Sequence, residues 1–111
     1  MDELREIKGY IADGKALFDR AIMPQEIEDA LGLFNKAIAK TASNNQVPQV
    51  NQLHHMRGLC HFKLQRFELA EKDFQEAILM SDEKSKQAIY HSLGKCKIQL
   101  ATKDPLIVKL L

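Results

Sequence analysis

The sequence predicts an all-α fold in which helix-turn-helix units stack into a superhelix. Apolar residues recur at a spacing near 3.6, and no segment alternates convincingly with a period of two. A pattern of alanine and phenylalanine at steps of four and three occurs twice, at Ala70, Phe74 and Ala77 and forty residues earlier at Ala30, Phe34 and Ala37. A glycine precedes each occurrence and recurs once more: Gly14, Gly58 and Gly94. Repeated use of one unit indicates a solenoid, and most solenoids bind other chains.

The spacing predicts five helices and a short C-terminal sixth. The predicted ranges are 2–22, 24–41, 48–64, 67–80, a fifth helix that follows a cap at Ser81 or Asp82 and ends at residue 101, and 106–111. Pro24 and Pro48 suit the first turns of helices two and three. Residues 43–49 form the one convincing loop, and Gln65 and Arg66 make the turn before helix four.

We expect one domain, residues 1–111, with about two and a half units. The units are expected at about 7–42, 51–84 and, incomplete, 87–111. In the first unit the glycine lies 16 residues before the alanine, where the second unit has 12, so the turn around residues 21–24 is expected to be about four residues longer. The apolar end, PLIVKLL, suggests a longer parent chain cut to this length.

The glycines at equivalent places in helices one, three and five predict close helix packing. A glycine inside a helix costs about 1 kcal/mol relative to alanine. That cost is tolerable where the missing side chain lets two helices approach. We therefore expect Gly14, Gly58 and Gly94 each to face a neighbouring helix.

Composition argues against several classes of function. Sixteen basic and fifteen acidic residues leave a net charge of +1, which disfavours a nucleic-acid-binding arm or a polybasic membrane patch. No run of about 18 apolar residues occurs, and the polar N-terminus is unlike a secretory signal, so a cytoplasmic location is expected. Cys60 and Cys96 are expected to be reduced core residues.

The central unit resembles a tetratricopeptide repeat. That family pairs a small residue in its first helix with alanine, phenylalanine and alanine in its second, and residues 51–84 match without a gap at Gly58, Phe67, Ala70, Phe74 and Ala77. The third unit has Tyr90, Leu93 and Gly94 at the family's aromatic, leucine and glycine positions. The departures are His54 for an aromatic, Asp13 and Arg57 for leucine, and His61 and Lys97 for tyrosine. The resemblance implies a non-catalytic adaptor or scaffold that binds protein.

One subclass of that family grips the C-terminal carboxylates of chaperones through lysines and asparagines. This sequence does not match that clamp. Ile11 and Lys15 stand where the first unit of the subclass has lysine and asparagine, Met56 replaces an asparagine, and Ala88 and Ser92 replace two basic residues. Chaperone-tail binding of that sort is not expected.

A concave groove is the predicted binding surface, because the first helices of stacked units line one wall. Positions i, i+3, i+7 and i+10 face it, together with a neighbouring lysine on helix three. The predicted groove residues are Lys8, Ile11, Lys15, Phe18, Gln52, His55, Leu59, Phe62, Lys63, His91, Lys95 and Ile98, with Ala88 on the same stripe and Asp19 beside it. Acidic residues gather on the second helices. The groove is therefore expected to be positive and to accept a peptide or helix with acidic and apolar residues.

Two other functions stay open at this point. The chain is alternatively a structural segment whose apolar end, 106–111, stacks on further repeats or on a second copy. RNA binding by helical repeats is a further alternative, although it needs more stacking aromatics than the groove offers, and no nucleic acid is expected.

Neither a cofactor nor a catalytic or metal site is expected. The sequence has no GxSxG, P-loop, HExxH or GxGxxG motif. His54 and His55 are adjacent, so on a helix they point about 100 degrees apart and cannot easily share one ion. His54 and His61 are expected to fill space on the packing face. His55 and His91 share the groove phase, which would allow a contact sensitive to pH between about 6 and 7.

Overall fold

Five helices account for the fold. The computed structural model describes residues 2–42, 50–103, 106 and 109, and none of these residues is in a strand. The helices are α1 (Asp2–Arg20), α2 (Pro24–Thr41), α3 (Val50–Lys63), α4 (Phe67–Leu79) and α5 (Glu83–Ala101). The predicted all-α class is confirmed, and the helix ends lie within two residues of the predicted ones.

Two predicted elements fall largely outside the described residues. They are the loop at 43–49, with Pro48, and the sixth helix at 106–111, of which only Leu106 and Lys109 are described, both helical.

Each helix packs against the next in the chain, and the short connections make successive helices antiparallel. The central helix, α3, contacts α2 and α4 extensively and also touches α1 and α5. The first helices of the units, α1, α3 and α5, therefore lie side by side. The resulting body measures 55 × 33 × 20 Å, as expected for a short helical superhelix.

Two aromatic rings packed on two glycines set the separation of the helices within each unit. A Cβ placed on Gly14 would lie 2.7 Å from the Phe34 ring, and one placed on Gly58 would lie 2.5 Å from the Phe74 ring. Both rings are fully buried. The predicted close packing is therefore confirmed at Gly14 and Gly58, where no larger residue fits without displacing the ring.

The core consists of two apolar clusters. The first joins α1, α2 and α3 through Ile7, Ile27, Ala30, Leu31, Phe34, Ala37, Leu53 and Cys60. The second joins α4 and α5 through Ala70, Phe74, Ala77, Ile89 and Cys96, with Leu59 and Phe62 of α3 packed against it. Each large side chain buried here stabilises the fold by about 1.5–3 kcal/mol. Both cysteines are free and buried, as predicted.

Local hydrogen bonds determine where α3 ends and where α5 begins. At the end of α3 the Arg66 N–H donates to the His61 carbonyl and the Gln65 N–H to the Phe62 carbonyl, which is a Schellman turn. Gln65 has the left-handed φ of 63° that this turn requires. Of the two predicted caps of α5, Asp82 is the one used, since its carboxylate accepts the Ser85 N–H at 2.8 Å.

The four extra residues of the first unit lie in its helices. Three residues separate α1 from α2, and three separate α3 from α4, so the prediction of a longer turn is wrong. Instead, α1 continues one residue farther past its glycine than α3 does, and α2 begins three residues farther ahead of its alanine than α4 does. The α1–α2 corner therefore projects beyond the α3–α4 corner by up to about 4.5 Å, the rise of three residues.

Gly94 does not share the packing of the other two glycines. It is exposed, and no described atom lies within 4 Å of a Cβ placed on it. The predicted sixth helix, 106–111, which would be the second helix of the third unit, lies largely outside the described residues. The prediction of close packing is thus not met at Gly94 by any described residue.

Alanine substitutions at Gly58 and Gly94 test the ring-on-glycine contact. In Gly94→Ala the better helix propensity should raise the free energy of unfolding by up to about 1 kcal/mol. In Gly58→Ala the new methyl collides with a buried ring, so its unfolding free energy should lie about 1–3 kcal/mol below that of Gly94→Ala. Urea denaturation followed by circular dichroism measures both values. Equal stabilities would show that Phe74 withdraws without cost.

Candidate binding groove

Two adjoining clefts lie along the wall formed by α1, α3 and α5. The Lys15 cleft, of about 250 Å³, is lined by Lys15, Asn51, Gln52, His55, Met56, Ser85, Ala88 and Ile89. The Phe18 cleft, of about 220 Å³, is lined by Phe18, Leu59, Phe62, Lys63, Phe74, Ser92 and Lys95. Both clefts are lined by residues of α1, α3 and α5, and we refer to the two together as the groove.

The central helix contributes a complete stripe to this groove. Residues at i, i+3, i+7 and i+10 of an α-helix share one face, and on α3 this face carries Gln52, His55, Leu59 and Phe62. The opposite side of α3 is fixed by burial of Leu53 and Cys60 in the first core cluster. Burial of one side therefore turns the predicted stripe into the groove.

Of the twelve predicted groove residues, eight line the clefts. These are Lys15, Phe18, Gln52, His55, Leu59, Phe62, Lys63 and Lys95. The other four, Lys8, Ile11, His91 and Ile98, line neither cleft. On α1, Ile11 packs against the first core cluster instead, and Lys8 is exposed outside both clefts.

On α5 the lining residues follow a stripe rotated from the expected one. The residues of α5 that line the clefts are Ser85, Ala88, Ile89, Ser92 and Lys95, whereas the predicted stripe was Ala88, His91, Lys95 and Ile98. Burial of Ile89 and Cys96 against α4 sets this rotation. His91 and Ile98 are consequently exposed outside the groove, Ile98 to 63%.

Several lining residues were not predicted: Asn51, Met56, Phe74, Ser85, Ile89 and Ser92. Asn51 is held in place by its amide, which donates to Ser81 Oγ at 2.9 Å. The spacing of Ser85, Ala88, Ser92 and Lys95 could have indicated the two serines, because it has the same steps of three, four and three residues as the predicted groove stripes.

Positive charge in the clefts comes from three lysines. Lys15, Lys63 and Lys95 line the groove without a carboxylate among the lining residues. Lys63 Nζ stands 4.5 Å from the centre of the Phe18 ring, a cation–π contact that joins α3 to α1. Among the described residues no carboxylate forms an ion pair with any of the three, so the groove is basic and apolar.

His55 joins α3 to α5 between the two clefts. Its Nε2 lies 3.0 Å from Ser92 Oγ, and its ring meets the edge of Phe74 at 5.7 Å between centroids. Burial lowers the pKa of His55, which keeps the ring neutral at pH 7. Burial therefore works against the hypothesis of a contact at this residue that titrates between about pH 6 and 7.

Ser92 Oγ lies within hydrogen-bond distance of two acceptors. It stands 3.3 Å from the Ala88 carbonyl oxygen and 3.0 Å from His55 Nε2. Its single hydroxyl proton is donated to one of them, and the choice depends on the tautomer of His55.

A buried charge cluster occupies the interface between α3 and α4. Asp73 is only 5% exposed, and its carboxylate accepts Arg57 Nη2 at 2.7 Å and Arg57 Nε at 2.9 Å. His54 and His61 stand 3.6 and 3.7 Å from the same carboxylate. Arg57 also donates to Asn35 of α2 at 3.2 Å. The cluster thus ties three helices together at a place where the sequence showed only isolated departures from the repeat pattern.

The charge on Asp73 depends on Arg57. Burial alone would raise the pKa of the Asp73 carboxyl, but the neighbouring His54 and the bidentate Arg57 guanidinium together outweigh it, and the pKa lies below its usual range. Burial lowers the pKa of His61 in spite of the Asp73 charge. At neutral pH the cluster is therefore an Arg57–Asp73 ion pair beside the neutral His61.

The acidic residues of the second helices pair away from the groove. Glu28 of α2 pairs with Arg66, Glu71 of α4 pairs with Lys97 at 3.3 Å, and Glu68 pairs with Lys103 at 3.3 Å.

The described residues contain neither a metal-binding cluster nor a membrane-spanning helix. No group of three or more histidine, cysteine, aspartate or glutamate side chains is placed to hold a metal ion. None of the helices there combines the length and apolar content needed to span a membrane.

Substitutions in the Arg57–Asp73 pair should show that it is buried. Arg57→Leu leaves a buried carboxylate without its partner, so we expect the unfolding free energy at pH 7 to fall by about 3 kcal/mol. Arg57→Leu with Asp73→Leu removes both charges and should recover most of that loss. Urea denaturation measures each value.

The same pair predicts a pH dependence. The pKa of Asp73 is lower in the folded state than in the unfolded chain, so its contribution is present above about pH 4 and is lost as the pH falls through the folded-state pKa. Wild-type stability should therefore drop more steeply than that of the double variant below about pH 4. If Arg57→Leu had the same free energy of unfolding as the wild type at pH 7, the ion pair would not be buried.

Comparison with known families agrees with this architecture. Residues 52–83 match the tetratricopeptide repeat family, and this range contains nearly all of α3 and the whole of α4, with the Gly58–Phe74 contact between them. No curated protein and no solved structure matches the chain. The resemblance found in the sequence is thereby confirmed over residues 52–83, and this match supports a protein of the tetratricopeptide-repeat type.

Proposed function

We propose that this chain is a non-catalytic adaptor that holds a peptide or helical segment of a partner protein in the groove of α1, α3 and α5. Tetratricopeptide repeats are in general protein–protein interaction modules. The partner segment would carry acidic and apolar residues, and binding would need no cofactor. A cytoplasmic setting belongs to the same proposal.

The observation that carries the proposal is the unpaired charge of the groove. Three lysines, Lys15, Lys63 and Lys95, line clefts that are otherwise apolar or neutral. A groove with lysines that lack carboxylate partners attracts an acidic segment and disfavours a basic one. Phe18, Leu59 and Phe62 supply apolar contact beside the lysines, which favours a segment with apolar residues next to its acids.

Charge reversal in the groove tests this function. Peptides of 12–16 residues are selected from a displayed random library on the wild-type chain, and their dissociation constants are measured by fluorescence anisotropy. We expect the selected peptides to contain acidic and apolar residues. The variant with Lys15→Glu and Lys95→Glu should bind them with a dissociation constant that is about tenfold or more higher, equivalent to about 1.4 kcal/mol.

The matched control is Lys72→Glu with Lys84→Glu. These lysines are exposed and line neither cleft, and their substitution changes the net charge equally. The control should bind the same peptides within about twofold. Equal binding by the groove variant, or failure to select any acidic peptide, would overturn the proposal.

A second candidate function is suggested by one face of α5. Tyr90 is 53% and Ile98 is 63% exposed, and Gly94 lies between them with no described atom against it. The corresponding face of α3, with Gly58, is covered by α4. This arrangement supports a structural role in which α5 stacks on further repeats or on a second copy of the chain.

Sedimentation velocity over a range of concentrations tests stacking between copies. Tyr90→Ser with Ile98→Ser should return an associating chain to monomer, because the exposed apolar surface is removed. Leu79→Ser with Met80→Ser, at the exposed α4–α5 corner, should leave association unchanged. A wild-type chain that stays monomeric at every concentration would exclude self-stacking.

A further inference from the structure

The corner between α1 and α2 carries the most exposed large apolar side chain among the described residues. Ile22 is 89% exposed, and the next residue, Met23, is 61% exposed. The corner projects because the helices of the first unit are longer than those of the second. Exposed apolar residues that stand next to one another at a projecting corner suggest a contact surface.

Hydrogen bonds hold this corner in one conformation. Glu26 Oε1 accepts the backbone N–H of both Ile22 and Met23 at 3.1 Å. These backbone hydrogen bonds lower the pKa of Glu26, so its carboxylate is charged at neutral pH and Oε1 accepts both N–H groups. Ile22 and Met23 are therefore presented by an ordered loop, which reduces the entropy lost when a ligand binds.

A third cleft lies beneath the corner. It has a volume of about 230 Å³, and its walls include Ile22, Met23, Ile27, Lys63 and Leu64. We call it the corner cleft. Apart from Lys63, its lining side chains are apolar, and Ile27 is only 5% exposed. A single large aliphatic or aromatic side chain is the ligand group that such walls suit.

Lys63 links the corner cleft to the groove. It lines both the corner cleft and the Phe18 cleft, and its Nζ lies over the Phe18 ring. No described carboxylate pairs with it. One unpaired cation therefore stands between two apolar clefts.

We propose that the corner cleft is an anchor site for the same partner segment that occupies the groove. The segment has one acidic residue that pairs with Lys63 and a large apolar residue on each side of it. One apolar side chain lies on Phe18, Leu59 and Phe62, and the other fills the corner cleft between Ile22, Met23 and Leu64. This inference rests on the proposed function and adds a sequence requirement, apolar–acidic–apolar, to the partner.

The test uses the peptides selected on the wild-type chain. Ile22→Ser with Met23→Ser removes apolar walls of the corner cleft and leaves the backbone hydrogen bonds to Glu26 in place. For peptides with a large apolar residue on each side of an acidic residue, we expect this variant to raise the dissociation constant by about tenfold or more. Versions of those peptides in which the outer apolar residue is changed to serine should bind the wild type and this variant equally.

The matched control is Leu79→Ser with Met80→Ser at the α4–α5 corner, at the other end of the helices. These side chains are 79% and 42% exposed, so a similar apolar surface is lost, and binding should stay within about twofold of the wild type. Thermal unfolding verifies that all variants fold.

The outcomes separate this inference from the proposed function. If the groove variant with Lys15→Glu and Lys95→Glu loses binding while Ile22→Ser with Met23→Ser does not, the groove stands and the corner anchor is wrong. If no peptide is selected, or neither variant changes binding, both are wrong. If the corner variant instead abolishes self-association in sedimentation and leaves peptide binding intact, the corner contacts a second copy of the chain and the anchor is again wrong.

Discussion

The fold depends on two phenylalanine rings held against helix backbone where a side chain is missing. Phe34 covers Gly14 and Phe74 covers Gly58 at distances that leave no room for a methyl group. Because the ring is rigid and fully buried, it fixes both the separation of the paired helices and their rotation about their own axes. That rotation decides which stripe of α3 is left over to form the groove.

The acidic residues of α4 form ion pairs away from the groove. Asp73 pairs with Arg57 in the interior. On the outer side Glu71 pairs with a lysine of α5, and Glu68 pairs with a lysine that follows α5. Such exposed pairs stabilise the fold by no more than about 1 kcal/mol each. Their more important effect is to keep carboxylates away from the groove, where no carboxylate lies among the residues that line the clefts with Lys15, Lys63 and Lys95.

Residue spacing in the sequence predicted the features that depend on periodicity within one helix. It failed for the features that depend on how one helix packs against another. The helices, the ring-on-glycine contacts of two units and the α3 stripe follow from steps of three and four residues. The rotation of α5 depends on how Ile89 and Cys96 bury against α4, so His91 and Ile98 could not be excluded from the groove beforehand. The Arg57–Asp73 pair joins residues 16 apart on different helices, and no spacing rule reports such a contact.

The residues that define the repeat and the residues that would select a ligand are different sets. Glycine, alanine and phenylalanine of the repeat are buried against one another, with Phe74 alone reaching a cleft, so they contribute shape and little chemistry. The groove and the corner cleft are instead lined by residues that differ from unit to unit, such as Lys15, Met23 and Ser92. A lengthened helix in the first unit is enough to add the corner cleft without disturbing either ring-on-glycine contact. Specificity in this chain is therefore expected to come from these departures from the repeat.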